Sequence, residues 1–327
     1  MSSDVPNSEW QRMGTAFVVL GALTHATVSL VIKENPFPLL LTTQIRWAVA
    51  TAISAPLFLT YRASLHLKFC GPGGAPFWPV LKGSVVFLYI LLWWLAVRDA
   101  PLGDCTAVMQ TTPILLTPVV TRLVLGESWP RYLVIRAPLA IVGLALVVDP
   151  PCIHYWTGSL DSSAAIASRA PANYRNLLLA AAMSPALPLA THMTRGRNWI
   201  EVECVGSCVN CMFWNPLFIS LSVLLVENPS PASSYDPATG LKVALIIVAS
   251  MAAFLALALD TIGYQMAEPG KASMFRCLEV PYSFMLQRVG SGQIVLWREV
   301  AGTCLILLAL GIGWVAEAHP REPDFEP

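Results

Sequence analysis

The sequence predicts an all-α integral membrane protein with ten transmembrane helices, arranged as two five-helix inverted repeats. Three observations lead there. Charged residues make up only 12% of the 327 positions and hydrophobic ones 55%, with a mean hydropathy of +0.60. Soluble domains carry about 25% charged residues, so the apolar surface of this chain needs the bilayer as its solvent. Apolar runs of membrane length recur along the whole chain, and one polar-rich segment, PLGDCTAVMQTTPILLTPVVTRLVLGE from Pro101, returns in fainter form 167 positions later.

A membrane-crossing helix needs about 20 mostly apolar residues. Stretches free of Asp, Glu, Lys and Arg cover 13–32, 83–97, 105–121, 176–194, 204–226, 243–259 and 300–316. Three more spans are predicted with internal charges: 36–60 around Arg46, 130–149 around Arg136, and 268–289 with Lys271, Arg276 and Glu279. The connections CGPGGAP at 70–76 and ENPSPASSYDPATG at 227–240 are rich in Gly and Pro, which end helices. The longest polar break, PPCIHYWTGSLDSSAAIASRAPAN, follows the fifth span. The predicted organisation is therefore a tail at 1–12, a first repeat at 13–150, a loop at 151–173, a second repeat at 174–316 and a tail at 317–327.

The first apolar run follows Asp4, Glu9 and Arg12 rather than a positive leader, so it is expected to be a retained span. Ten spans put both termini on one side. The Lys/Arg distribution, with Lys82 counted in a connection, favours the cytoplasm for that side. Lys+Arg and Asp+Glu both number 20, so no basic excess points to nucleic acid. Cys204, Cys208 and Cys211 share one helix face within an apolar run, where small packing residues outweigh a metal site without a fourth ligand.

An odd number of spans in each half forces the second copy to enter the membrane in the opposite orientation, as in transporters with inverted repeats. At the fixed offset Ala100 meets Ala267, Gly103 meets Gly270, Thr106 meets Ser273 and Arg131 meets Arg298. One further position of slip pairs Pro113 with Pro281 and Gly143 with Gly311.

The phrases PLGDCTAVMQTTP, LVLGE and IVGLALVVDPP resemble the EamA-type domain of the drug/metabolite transporter superfamily. NPFPLLLTTQIRWAVA is similar to that family's second helix, and AEPGKASMFRCLEVPYSFMLQRV to the second copy. The DPPCIHYWTG ending and LEVPYSFMLQ are most similar to the solute carrier family 35 G-like branch. The second copy departs from the pattern by carrying Ser291-Gly292-Gln293 where Gly-Glu is usual. The first half departs by ending on Asp149-Pro150 without a preceding basic residue. The resemblance implies two repeats around a central cavity, and transport as the activity.

Ionisable groups at membrane depth cost at least about 2.5 kcal/mol each, so they normally face a cavity or a partner. Arg276 and Glu279 are three apart on one helix face: either a local ion pair or a pair facing a cavity. Arg46 suits either interhelical carbonyls or the carboxylate or phosphate of a substrate, whereas Arg136, one turn inside a loop, is expected to snorkel. Asp260 continues into the polar Thr261, Tyr264 and Gln265. Gln110 and Thr111 stand beside Pro113, which frees a backbone carbonyl that hydroxyls or water can satisfy. They read either as structural or as cavity lining. Tyr282, Trp93, Trp94 and Trp214 either line a cavity or stack a ring, and other tryptophans near span ends fit an interfacial belt. His25 lies mid-span as a packing residue or a coupling site.

The expected function is secondary active transport of a small polar metabolite by alternating access. Arg46, Gln110, Thr111, Arg276, Glu279 and Tyr282 are the expected substrate residues, with His25 and Asp260 for coupling. The alternative is a non-transporting scaffold or chaperone of the same fold. No soluble catalytic motif occurs, so neither enzymatic activity, cofactor nor metal is expected. The expected partners are a small-molecule substrate and the lipid bilayer, with a homodimer left open. The plasma membrane is expected ahead of an internal membrane, since no retention motif is present.

Overall fold

The computed structural model describes residues 8–35, 37–67, 77–125, 133–148, 174–194, 197–225, 239–267, 275–290, 292 and 295–318. Among these there is no strand. The first five helices are α1 (Ser8–Lys33), α2 (Leu39–Tyr61), α3 (Phe77–Asp99), α4 (Leu102–Leu125) and α5 (Leu133–Val148). They are followed by α6 (Tyr174–Met183), α7 (Ala186–His192), α8 (Trp199–Val209), α9 (Asn215–Leu225), α10 (Thr239–Met266), α11 (Glu279–Gly290) and α12 (Trp297–Ala318). A π-helical turn, Asn210–Trp214, joins α8 to α9, and a 3₁₀ turn, Arg276–Leu278, leads into α11. Every predicted span overlaps at least one of these helices, and two of them, 176–194 and 204–226, are each divided between two. The expected loop at 151–173 lies outside the described residues.

Local chemistry explains the boundaries. Helix α1 has Glu9 in its first turn and Lys33 in its last, each complementing the helix dipole. Between α3 and α4 stand only Ala100 and Pro101, and proline is tolerated where a helix starts because no partner is needed for the missing N–H. Ser184 and Pro185 separate α6 from α7 for the same reason. At the start of α8 the Asn198 side chain accepts a 3.0 Å hydrogen bond from the Ile200 N–H. Asn198→Ala is therefore expected to lower thermal stability by about 1 kcal/mol, read as a melting shift in detergent.

The distribution of polarity is inverted relative to a soluble protein. Arg46, Lys82, Asp104, Arg136, Glu203, Asp260, Glu279 and Glu299 are all buried, while Leu59, Leu123, Val134, Met212, Val248 and Val289 lie on the outside. Water would reward the opposite arrangement; hydrocarbon rewards this one. Among the described residues, four helical segments are long and apolar enough to cross a bilayer: Glu9–Lys33, Phe77–Asp99, Trp199–Ser222 and Gly240–Met266. The apolar helix Leu133–Val148 is shorter. Helices α2 and α4 fall outside that set and carry polar residues inward, among them Thr42, Thr43, Arg46, Asp104 and Gln110.

The bundle is held by specific helix pairs. Helix α1 packs on α10 and on α11, α3 on α6 and α8, α2 on α8 and α10, and α4 on α6 and α11. Helix α5 packs on α12, where the backbones touch at Gly143 and Gly302. The largest apolar cluster joins Trp47, Phe87, Trp93, Trp94, Met109 and Phe254 at the centre. Two sequence expectations need correction. Lys82 is not a loop charge but lies inside α3, 3% exposed, because Glu203 of α8 awaits it there. Arg136 does not snorkel; it is buried at 2% exposure.

Candidate functional site

Five of the eight singled-out residues meet at one central cavity. His25 comes from the middle of α1, Arg46 from the second turn of α2, Gln110 from α4, Arg276 from the 3₁₀ turn and Glu279 from the start of α11. Tyr89, Trp93 and Trp94 of α3 supply aromatic wall, and Leu187 and Leu257 complete the lining from α7 and α10. In this conformation there is room for about one or two water molecules, so anything larger enters only if the helices part.

The charged groups are tied together. The Gln110 amide donates to Glu279 Oε2 at 2.5 Å, and Arg276 Nε lies 3.7 Å from that oxygen. Asp260, outside the lining, backs Arg276: its Oδ2 is 3.0 Å from Arg276 Nη1 and 3.4 Å from His25 Nε2. Arg276 therefore lies between two carboxylates from different elements, which offsets the cost of burying it. Both local pairing and cavity lining, the two readings of the Arg276–Glu279 spacing, are present at once.

Arg46 is held differently. Its guanidinium carbon sits 5.2 Å from the Trp47 ring centre and 5.0 Å from that of Trp94, within cation–π range. The side chain is 1% exposed, and its Nη2 has no hydrogen-bond partner among the described residues.

Three expected site residues stand off this lining. Thr111 is fully buried elsewhere in the packing of α4. Tyr282 bonds through its hydroxyl to the Thr27 hydroxyl at 3.1 Å, tying α11 to α1. Asp260 meets the cavity residues through its pairs with Arg276 and His25. A second, smaller cavity beyond Arg276 is lined by Tyr89, Gln110, Pro113, Ser184, Pro188 and Tyr264. Pro113, one of three prolines in the 101–127 segment, thus stands beside a cavity, where the carbonyl it frees can be reached by water.

Sequence reasoning missed a second charged cluster. Lys82 of α3 donates to Glu203 of α8 and, at 2.7 Å, to the Thr261 hydroxyl of α10, which also bonds Glu203 at 2.5 Å. A search for charge-free windows discards such residues by design, since Lys82 and Glu203 each sit just outside one. Another polar group joins α2 to the π turn and α9: Thr43 donates to Asn215 Oδ1 at 2.7 Å, and Asn215 donates to Gln44 at 2.6 Å.

Neither a family model nor a curated protein matches the chain. Among solved structures 23 chains match. One, described only as "Crystal structure of protein", superposes with a TM-score of 0.62 at 17% identity, covering 95% of this chain and 99% of that one. At that identity the likeness is one of fold, and it extends over nearly the whole chain.

Proposed function

We propose that the chain is a secondary active transporter that moves a small polar metabolite by alternating access, its ten spans forming two five-helix inverted repeats. One observation carries the reading: ionisable side chains from four separate elements, His25, Arg46, Arg276 and Glu279, converge on a central cavity inside a bundle whose exterior is aliphatic. Burying that many charges at membrane depth is costly, and transport sites are where such groups recur.

The helix pairing supports the repeat. Exchanging α1 with α6–α7, α2 with α8–α9, α3 with α10, α4 with α11 and α5 with α12 maps most of the principal contacts onto one another, the α4–α5 contact being the exception. The α1–α10 contact becomes α3–α6, α2–α10 becomes α3–α8, and α1–α11 becomes α4–α6. Near a twofold axis, equivalent residues should touch each other. The Cys277 thiol donates to the Gln110 carbonyl at 3.2 Å, and the Gln44 amide donates to the Cys211 carbonyl at 3.4 Å; both pairs are 167 positions apart. That is the offset at which the sequence echoes itself.

The test is uptake into proteoliposomes from labelled amino acids, organic acids, nucleotide sugars and lipophilic cations. At least one should accumulate. Gln110→Ala and Glu279→Gln should each cut its rate about tenfold or more at equal abundance, since a hydrogen bond to a charged group contributes about 1.5–3 kcal/mol. Normal transport by both variants overturns the cavity assignment. The second reading, a non-transporting scaffold, draws on the tightness of the cavity. It is favoured if folded protein accumulates nothing and tolerates both substitutions.

A further inference from the structure

We propose that the central cavity selects a ligand bearing one acidic and one cationic group and no net charge, its acid on Arg46 and its cation on Glu279. The proposal rests on the transport reading for the site itself and adds the substrate class.

The argument is one of charge balance in a place remote from water. By formal charge, with histidine counted as neutral, the groups at the cavity are Arg46, Arg276, Asp260 and Glu279, two of each sign. Asp260 does not line the cavity; its carboxylate meets Arg276 from behind at 3.0 Å, so these two cancel locally. The wall that remains presents Arg46 as a cation and Glu279 as an anion.

Arg46 is short of partners, whereas Glu279 keeps two, Gln110 and Arg276, both on one oxygen. Among the described residues Arg46 Nη2 is buried without a hydrogen-bond partner, and the contacts of the guanidinium to Trp47 and Trp94 are to ring faces, which accept no conventional hydrogen bond. A planar fork with a free donor is suited to a carboxylate or a similar oxyanion. In the same lining Glu279 is positioned by Gln110 at 2.5 Å, while its Arg276 neighbour stands farther off at 3.7 Å.

Adding a simple anion would leave the enclosed site with an unbalanced negative charge, and a simple cation with a positive one; either is costly at low dielectric. A zwitterion satisfies Arg46 and Glu279 together and leaves the sum at zero. Tyr89, Trp93 and Trp94 then meet its apolar part.

The experiment is a thermal-shift and uptake series on the full chain. The probes are the common α-amino acids, γ-aminobutyrate and taurine, each compared with its deaminated acid and its decarboxylated or desulfonated amine. The expected result is that at least one zwitterion binds at least tenfold more tightly than both of its single-charge counterparts. In Glu279→Gln the preference over the deaminated acid should fall below threefold. In Arg46→Gln binding should be lost; Arg46→Lys, which keeps the charge, serves if that variant does not fold. A deaminated acid that binds the wild type as well as its zwitterion overturns the proposal while leaving the transport site intact. Transport of only an unrelated class, such as a lipophilic cation, overturns it too. Silence across every charge class on folded protein overturns both the proposal and the transport reading beneath it.

Discussion

Glu203→Ala is expected to lower the stability of the folded chain by about 3–5 kcal/mol, the range found when one partner of a buried ion pair is removed. Lys82 and Glu203 are 3% and 4% exposed, and Thr261 bonds to both. Without the carboxylate, the ammonium keeps one hydroxyl as its company where α3, α8 and α10 meet. It must either reach water or lose its proton, and both disturb the packing. The double variant Lys82→Met with Glu203→Met separates charge from shape: with no ion left to compensate, most of the loss should return. Melting curves in detergent check both. A single variant within 1 kcal/mol of wild type would mean that the pair behaves like an exposed one and does not tie these helices.

Gly302→Ala should destabilise by about 1–3 kcal/mol, the cost of overpacking a tight interface. A Cβ on Gly302 would sit 2.5 Å from the Gly143 carbonyl oxygen, and one on Gly143 would sit 2.7 Å from the Gly302 carbonyl oxygen. The obstacle is backbone on both sides, so no side chain can swing away and α5 must separate from α12. Gly311, further along α12, is the control: a Cβ there meets nothing within 4 Å. Gly311→Ala should be neutral or stabilising by up to about 1 kcal/mol, since alanine favours helix over glycine. Size-exclusion profiles and melting temperatures distinguish the two. Equal behaviour at positions 302 and 311 would remove the close approach from the account of how α5 and α12 pack.

These two sites also mark what was legible in the sequence. The slipped alignment pairs Gly143 with Gly311, but the residue that faces Gly143 in space is Gly302. A sequence offset relates similar positions and does not by itself name contacts, although Gln110 and Cys277, at the 167-residue offset, do touch. Lys82 and Glu203 were passed over because a span was defined by the absence of charge. The two ions bury each other, and a sum over one helix at a time has no term for a partner on another.

The amino-acid sequence by itself determined the class of solvent, the positions of the helices and the polar residues that needed an explanation. Each of these is a local property: hydropathy over about 20 residues, a proline or glycine that ends a helix, an ionisable group amid aliphatic ones. Tertiary structure alone decided which of those polar residues share a space. It brought His25, Arg46, Gln110, Arg276 and Glu279 to one cavity, set Asp260 behind Arg276, and turned Thr111 and Tyr282 to other contacts. The reason is physical. Helical periodicity tells which residues share a face, but the direction of that face is set only when glycine contacts and buried ion pairs fix each helix against its neighbours.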